Sequence, residues 1–186
     1  MWYHRSILLI PALFLYVQAR EILGPVSYEI ENMRACDIKT NGKMVYDNVR
    51  VSRYNISTYI LSGSVVLNTE FNDNMKVVIS TNVWMNGAWR PTIFQRTLSK
   101  PCTLMTTFVP VFVEKIMTQI LSEHQDFTCP IKPAIFNLID FPVTVPDLPI
   151  PIPVPKGRYR VQLKILEDDE MIGCGEVIVM VDPKLN

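Results

Sequence analysis

Apolar and polar residues alternate with period two over much of this chain, most clearly where Tyr59, Leu61, Gly63, Val65, Leu67 and Phe71 interleave with Ser62, Ser64, Asn68 and Glu70. That alternation predicts a strand with one face in a core. Asn72-Asp73-Asn74 turns the chain, and Met75, Val77, Ile79, Val83 and Met85 then oppose Lys76, Ser80 and Asn82 on the return. Asn86-Gly87 supplies a tight hairpin before a further strand from Trp89 to Leu98. Together these segments predict an antiparallel meander. Val26 to Met33 reads as an opening strand, Val45 to Tyr54 as a second with Val49 and Val51 on one face, and Ala134 to Val143 as another. A closing hairpin follows: Tyr159, Val161, Leu163 and Ile165 alternate with Arg158, Arg160, Gln162 and Lys164, Asp168-Asp169-Glu170 turns, and Val177 to Val181 runs apolar on both faces, as a central strand does.

Between Cys102 and Cys129 the period changes, with Phe108, Phe112, Ile116, Ile120 and Val109, Val113, Met117, Leu121 recurring every three or four residues. This predicts one amphipathic helix, capped by Thr106 or Thr107 so that Pro110 falls in the first turn, where its missing N–H costs nothing. Its apolar stripe must lie on the side or mouth of a curved sheet. Farther on, Pro142, Pro146, Pro149, Pro151, Pro153 and Pro155 interleave with Val145, Leu148, Ile150, Ile152 and Val154. Prolines at that density exclude a central strand and favour an extended path. Apolar filling between them means a stiff connection packed on the core, or an entrance loop with Leu148, Ile150 and Ile152 at the rim.

The first 19 residues change the picture. His4 and Arg5 precede an apolar stretch from Ile7 to Val17 and a small residue, Ala19, which is the pattern of a removable secretion signal. A single domain from residue 20 to residue 186 then remains, 167 residues long, enough for a sizeable core. Basic and acidic residues balance at 18 each, and losing Arg5 leaves the remainder at minus one. Such neutrality of the whole chain gives no electrostatic case for nucleic acid or an anionic membrane.

Cys36, Cys102, Cys129 and Cys174 all lie beyond the signal, so in an oxidising compartment they predict two disulfides in any of three pairings. Each bridge contributes roughly 3 to 5 kcal/mol in the chain-entropy picture. A structural metal site lacks its ligands: there is no CxxC pair, and the one histidine beyond the signal is His124. Asn55-Ile56-Ser57 is a glycosylation sequon in a polar stretch, which makes Asn55 a candidate glycan site. No GxSxG, HExxH or Gly-rich phosphate loop is present, so no catalytic residue, metal or cofactor is assigned.

From Cys129-Pro130 through Phe141-Pro142, Leu148-Pro149, Pro155-Lys156-Gly157 and Arg158-Tyr159-Arg160-Val161, the chain resembles the CheA and CheB secreted chemosensory proteins of flies, themselves similar to ganglioside-activator and ML lipid-recognition domains. The resemblance implies a mainly β protein: an antiparallel β-cup around an apolar cavity, with one amphipathic helix near the rim. It also implies the nested pairing of Cys36 with Cys174 and Cys102 with Cys129. Extra rim cysteines of the activators are missing here.

Candidates for the lining, on this reading, are Leu61, Val65, Leu67, Val77, Ile79, Val83, Phe108, Phe112, Ile116, Phe136, Phe141, Val161, Leu163 and Ile165. Alternation assigns each an inward face without saying whether the interior is filled or hollow. The expected function is a secreted carrier of a lipid or other apolar cue in pheromone perception, monomeric, with a chemosensory receptor or a transient membrane contact as partner. An extracellular protein-interaction module with a closed interior is the alternative.

Overall fold

The computed structural model of the protein describes residues 26–108, 129–144 and 155–183. In chain order its elements are β1 (Val26–Ala35), β2 (Met44–Arg53), β3 (Thr58–Leu67), β4 (Lys76–Met85), β5 (Ala88–Ser99), α1 (Pro101–Phe108), β6 (Ala134–Thr144), β7 (Gly157–Glu167) and β8 (Glu170–Pro183). They build two antiparallel sheets, a five-stranded one in the order β1-β8-β7-β4-β5 and a three-stranded one in the order β2-β3-β6. The fold is mainly β, two antiparallel sheets with one small helix among the described residues. β8, apolar on both faces in sequence, is a central strand, and proline-bearing β6 is an edge, where the missing N–H of Pro142 breaks no second ladder.

The predicted meander does not form. β3 pairs with β2 and β6, whereas β4 pairs with β5 and β7, so the chain changes sheets between Leu67 and Lys76. Period-two alternation tells which face a residue takes but not which strand lies beside it. At the crossing, Phe71 makes an isolated antiparallel bridge to Ile131, and Met75 is buried where a returning hairpin would have left it at an edge.

The helix also starts earlier than the sequence suggests. Its first residue is Pro101, and Thr107 lies inside it, its hydroxyl donating to the Thr103 carbonyl. No acidic residue occupies the first turn of α1. Asp73, from the crossing loop, serves instead: its carboxylate accepts from the Thr103 backbone N–H at 2.9 Å and from the Thr103 hydroxyl. These bonds to Thr103 hold the Asp73 carboxyl below the usual carboxylate range. The rest of the predicted helix, with Phe112 and Ile116, lies outside the described residues.

Two apolar clusters make the core. Leu67, Phe71, Met75, Cys102, Ile165 and Ile172 close one end of the molecule, joined by Met44, Val77, Met105, Cys129, Ile131 and Phe136. Leu61, Leu138 and Phe141 form the other on the inner face of the three-stranded sheet, with Met33, Val51, Val65 and Val143 against them. The cysteines pair as Cys36–Cys174, tying β1 to β8, and Cys102–Cys129, anchoring α1 in the first cluster.

Candidate ligand-binding cup

Strand register settles which residues face the interior. Leu163 pairs with Gly175 on one side and Ile79 on the other, so the three share a face of the five-stranded sheet. A β-carbon built on Gly175 would point at the Tyr46 ring of β2, 3.3 Å away, so that face looks toward the three-stranded sheet. Residues two apart along each strand share it. Val77, Ile79, Thr81 and Val83 of β4, Tyr159, Val161, Leu163 and Ile165 of β7, and Val177, Val179 and Val181 of β8 therefore look inward.

The sheets do not approach equally everywhere. Opposite β2 they meet closely, because β8 presents glycines there: a β-carbon on Gly173 would lie 2.8 Å from the Met44 β-carbon. Side chains of β2 fill the space those glycines leave. Tyr46 is half-buried in this seam, and desolvation pushes its phenol up to about 12. Along the same side, the Ile30 N–H donates to the Tyr59 hydroxyl at 3.0 Å, and Arg53 of β2 pairs with Glu29 of β1 at 2.6 Å. The other side, where β4 and β5 face β6, has no comparable seam among the described residues.

That asymmetry separates the candidate lining residues into groups. Leu61, Val65 and Phe141 belong to the inner cluster of the three-stranded sheet; Leu67, Val77, Phe136 and Ile165 belong to the closed end. Ile79, Val83, Val161 and Leu163 join neither cluster, and although they face the opposite sheet they are only partly buried, Leu163 remaining 36 % exposed. Packed interiors do not leave large inward apolar side chains so uncovered. The Phe108 side chain, Phe112, Ile116 and the rim candidates Leu148, Ile150 and Ile152 lie outside the described residues.

Polar groups also reach the interior, and the sequence reading missed them. The Thr81 and Thr92 hydroxyls bond each other across β4 and β5, with the Thr92 hydroxyl accepting the Phe94 N–H at 3.1 Å. Tyr28, inward on β1 opposite Val181, has a buried hydroxyl with no hydrogen-bond partner among the described residues, and burial raises its pKa. The seam had one legible signal, the spacing of Gly173 and Gly175, which puts two missing side chains on one face of a strand.

On the outer face of the five-stranded sheet, Glu176 is buried between Arg34, at 2.8 Å, and the Gln162 amide, at 3.1 Å. This satisfied carboxylate holds β1, β8 and β7 in line on the face opposite the cup. Asp169 in the closing turn accepts from Lys76 of β4 at 2.8 Å. Asn55 is exposed, its Oδ1 accepting the Ser57 and Thr58 N–H groups in a tight turn. Among the described residues no group of His, Cys, Asp or Glu side chains is placed to hold a metal, and no helix is long and apolar enough to cross a membrane.

A family model described as the ML domain matches residues 30–181. No curated protein matches the chain. Among solved structures, chicken MD-1 complexed with lipid IVa is similar to this chain at 13 % identity, covering 87 % of this chain and 99 % of that one, with a TM-score of 0.34. So low a score places no residue, and the site stands on the register and burial above.

Proposed function

From the premise that the chain belongs to the ML (MD-2-related lipid-recognition) domain family, we propose that it is a secreted carrier of lipids or hydrophobic chemical cues in chemosensory perception. Family membership supports lipid binding in general. The chemosensory role draws on the likeness of Cys129 to Val161 to the fly proteins. On this reading residues 1–19 are removed on export, residues 20–186 form one β-cup domain, and Asn55 carries a glycan in the exposed loop between β2 and β3.

One observation carries the reading: an inward apolar row, Ile79, Val161 and Leu163, left partly uncovered between two sheets. An acyl chain laid on that row gains roughly 0.8 kcal/mol per buried methylene. Ten methylenes then offer about 8 kcal/mol against an association cost of about 4 to 15. Affinity therefore comes from chain length, without a charged anchor. The test is to extract and identify by mass spectrometry whatever co-purifies with the protein from insect cells, and to titrate a fluorescent fatty acid. About one apolar molecule per chain is the expected result; a ligand-free protein that leaves the probe silent overturns the reading.

A second reading has its own observation. On the outer face of the three-stranded sheet Val45, Val66 and Ile135 stand in one cross-strand row, with Ile135 60 % exposed and Ile139 of the same edge strand 83 % exposed. Such a row suits a protein partner, a receptor or another secreted protein. In that case the fatty-acid probe stays silent, while Ile135→Ser or Leu148→Ser abolishes partner capture.

A further inference from the structure

The β4–β5 hairpin carries an aromatic and cationic knuckle that the cup does not use. Asn86 and Gly87, at φ 52° and 75°, form the tight turn, and Trp84 pairs with Trp89 across it on the face turned away from the interior. The two indoles meet edge to face at 5.1 Å. Trp84 is 41 % exposed and Met85, at the tip, 53 % exposed. Two guanidiniums from β7 lie over the Trp89 ring, Arg160 at 5.0 Å and Arg158 at 5.7 Å from its centre.

Charge at this end is unbalanced. Arg158 pairs with Glu31, and Lys156 with Asp182. Arg160 and Arg90 have no carboxylate partner among the described residues, which leaves two cations in excess on a chain that is neutral as a whole. Indole and guanidinium together suit the interfacial zone of a bilayer, where the ring sits at headgroup level and the cation meets lipid phosphate. Trp84 and Met85 stand exposed at the tip, where a bilayer surface meets both at once.

We propose that this hairpin docks the protein on an anionic lipid bilayer, through Trp84, Met85 and Trp89 with Arg90 and Arg160. The inference deepens the carrier reading and rests on it for its purpose: β5 borders the side of the cup that lacks a seam, so docking there brings the uncovered interior close to the lipids from which a guest is taken.

With residues 1–19 removed, Trp84 and Trp89 are the only tryptophans, so intrinsic emission reports on the knuckle alone. Vesicles of phosphatidylcholine with one quarter phosphatidylserine should shift the secreted protein's emission to the blue, brominated acyl chains should quench it, and high salt should reverse both. By co-sedimentation, Trp84→Ser with Met85→Ser should weaken binding at least tenfold, and Arg160→Gln about fivefold. Fatty-acid displacement in solution, run on the same variants, should be unchanged. Unshifted emission with anionic vesicles overturns the docking, as does undiminished sedimentation of the variants, or a knuckle that captures a protein while ignoring vesicles. A wild type that binds the fatty acid but not the vesicles loses only the docking; one that binds vesicles but no fatty acid keeps the docking and loses the carrier reading.

Discussion

The two long sides of the cup are made of similar residues and end up differently packed. Where β2 faces β8, Gly173 and Gly175 let Met44 and Tyr46 reach the opposite backbone, and the sheets close. Where β4 and β7 turn inward, Ile79, Val161 and Leu163 find no such filling. Hydrophobicity alone does not distinguish the sides. Contact depends on side-chain volume at matched positions, so two missing β-carbons set which side is shut.

The largest test of this contrast lies beneath the seam. Gly63 has φ 131°, and a β-carbon there would meet the Val49 Cα at 2.6 Å and the Asn48 carbonyl oxygen at 2.7 Å, all of it backbone that cannot step aside. Gly63→Ala should cost about 4 kcal/mol or prevent folding, as read by urea unfolding. In the seam itself, Gly173→Val would drive methyls into Met44, whose β-carbon is fixed to the β2 backbone so that the strand must yield, and should cost about 3 kcal/mol by the same measurement. An equal bulk on the other side should behave differently. Leu163→Trp should change stability by less than about 1 kcal/mol yet weaken fatty-acid binding at least tenfold, because it fills space rather than overfilling it. A loss of stability matching that of Gly173→Val would erase the contrast between the sides.

The smallest effect concerns the closed end. Asp73 titrates below its ordinary value because it bonds Thr103, so its contribution to stability is present above the unfolded value of about 3.9 and is lost as pH falls through the folded one. Asp73→Asn should therefore flatten the dependence of stability on pH below about 4 while leaving the alkaline limb unchanged. Unfolding midpoints at pH 7 and pH 3, compared between the two proteins, check it.

How much of this was readable beforehand follows from what alternation can encode. The strands Thr58–Leu67, Lys76–Met85 and Gly157–Glu167 were legible because their apolar and polar residues alternate, Ala88–Ser99 because Asn86-Gly87 turns the chain into it, and β8 because it is apolar on both faces. The division into sheets was not, since Leu67 and Lys76 fit a hairpin and a crossing equally well. The start of α1 was hidden because its capping carboxylate comes from 30 residues upstream, beyond the reach of any local cap motif. Bulges between Asp47 and Arg50, and opposite Leu61 and Gly63, likewise leave little trace, yet they bring Gly63 under β2. As for the site, alternation found Leu61, Phe141 and Leu163 on inward faces, but whether such a residue meets a neighbour or an uncovered gap depends on the facing strand, which no local pattern specifies.

The bridge between Cys102 and Cys129, separated by 27 positions, makes the intervening stretch a covalent ring hung from the closed end. A protease that cuts once inside that ring severs the backbone without parting the molecule. Such a nicked protein would migrate as one band until a reducing agent splits it in two, and its shell of strands would keep both halves in place. Substitution or lengthening within the ring is likewise confined to one side of the bridge, so the stretch is free to diversify while the sheets stay fastened.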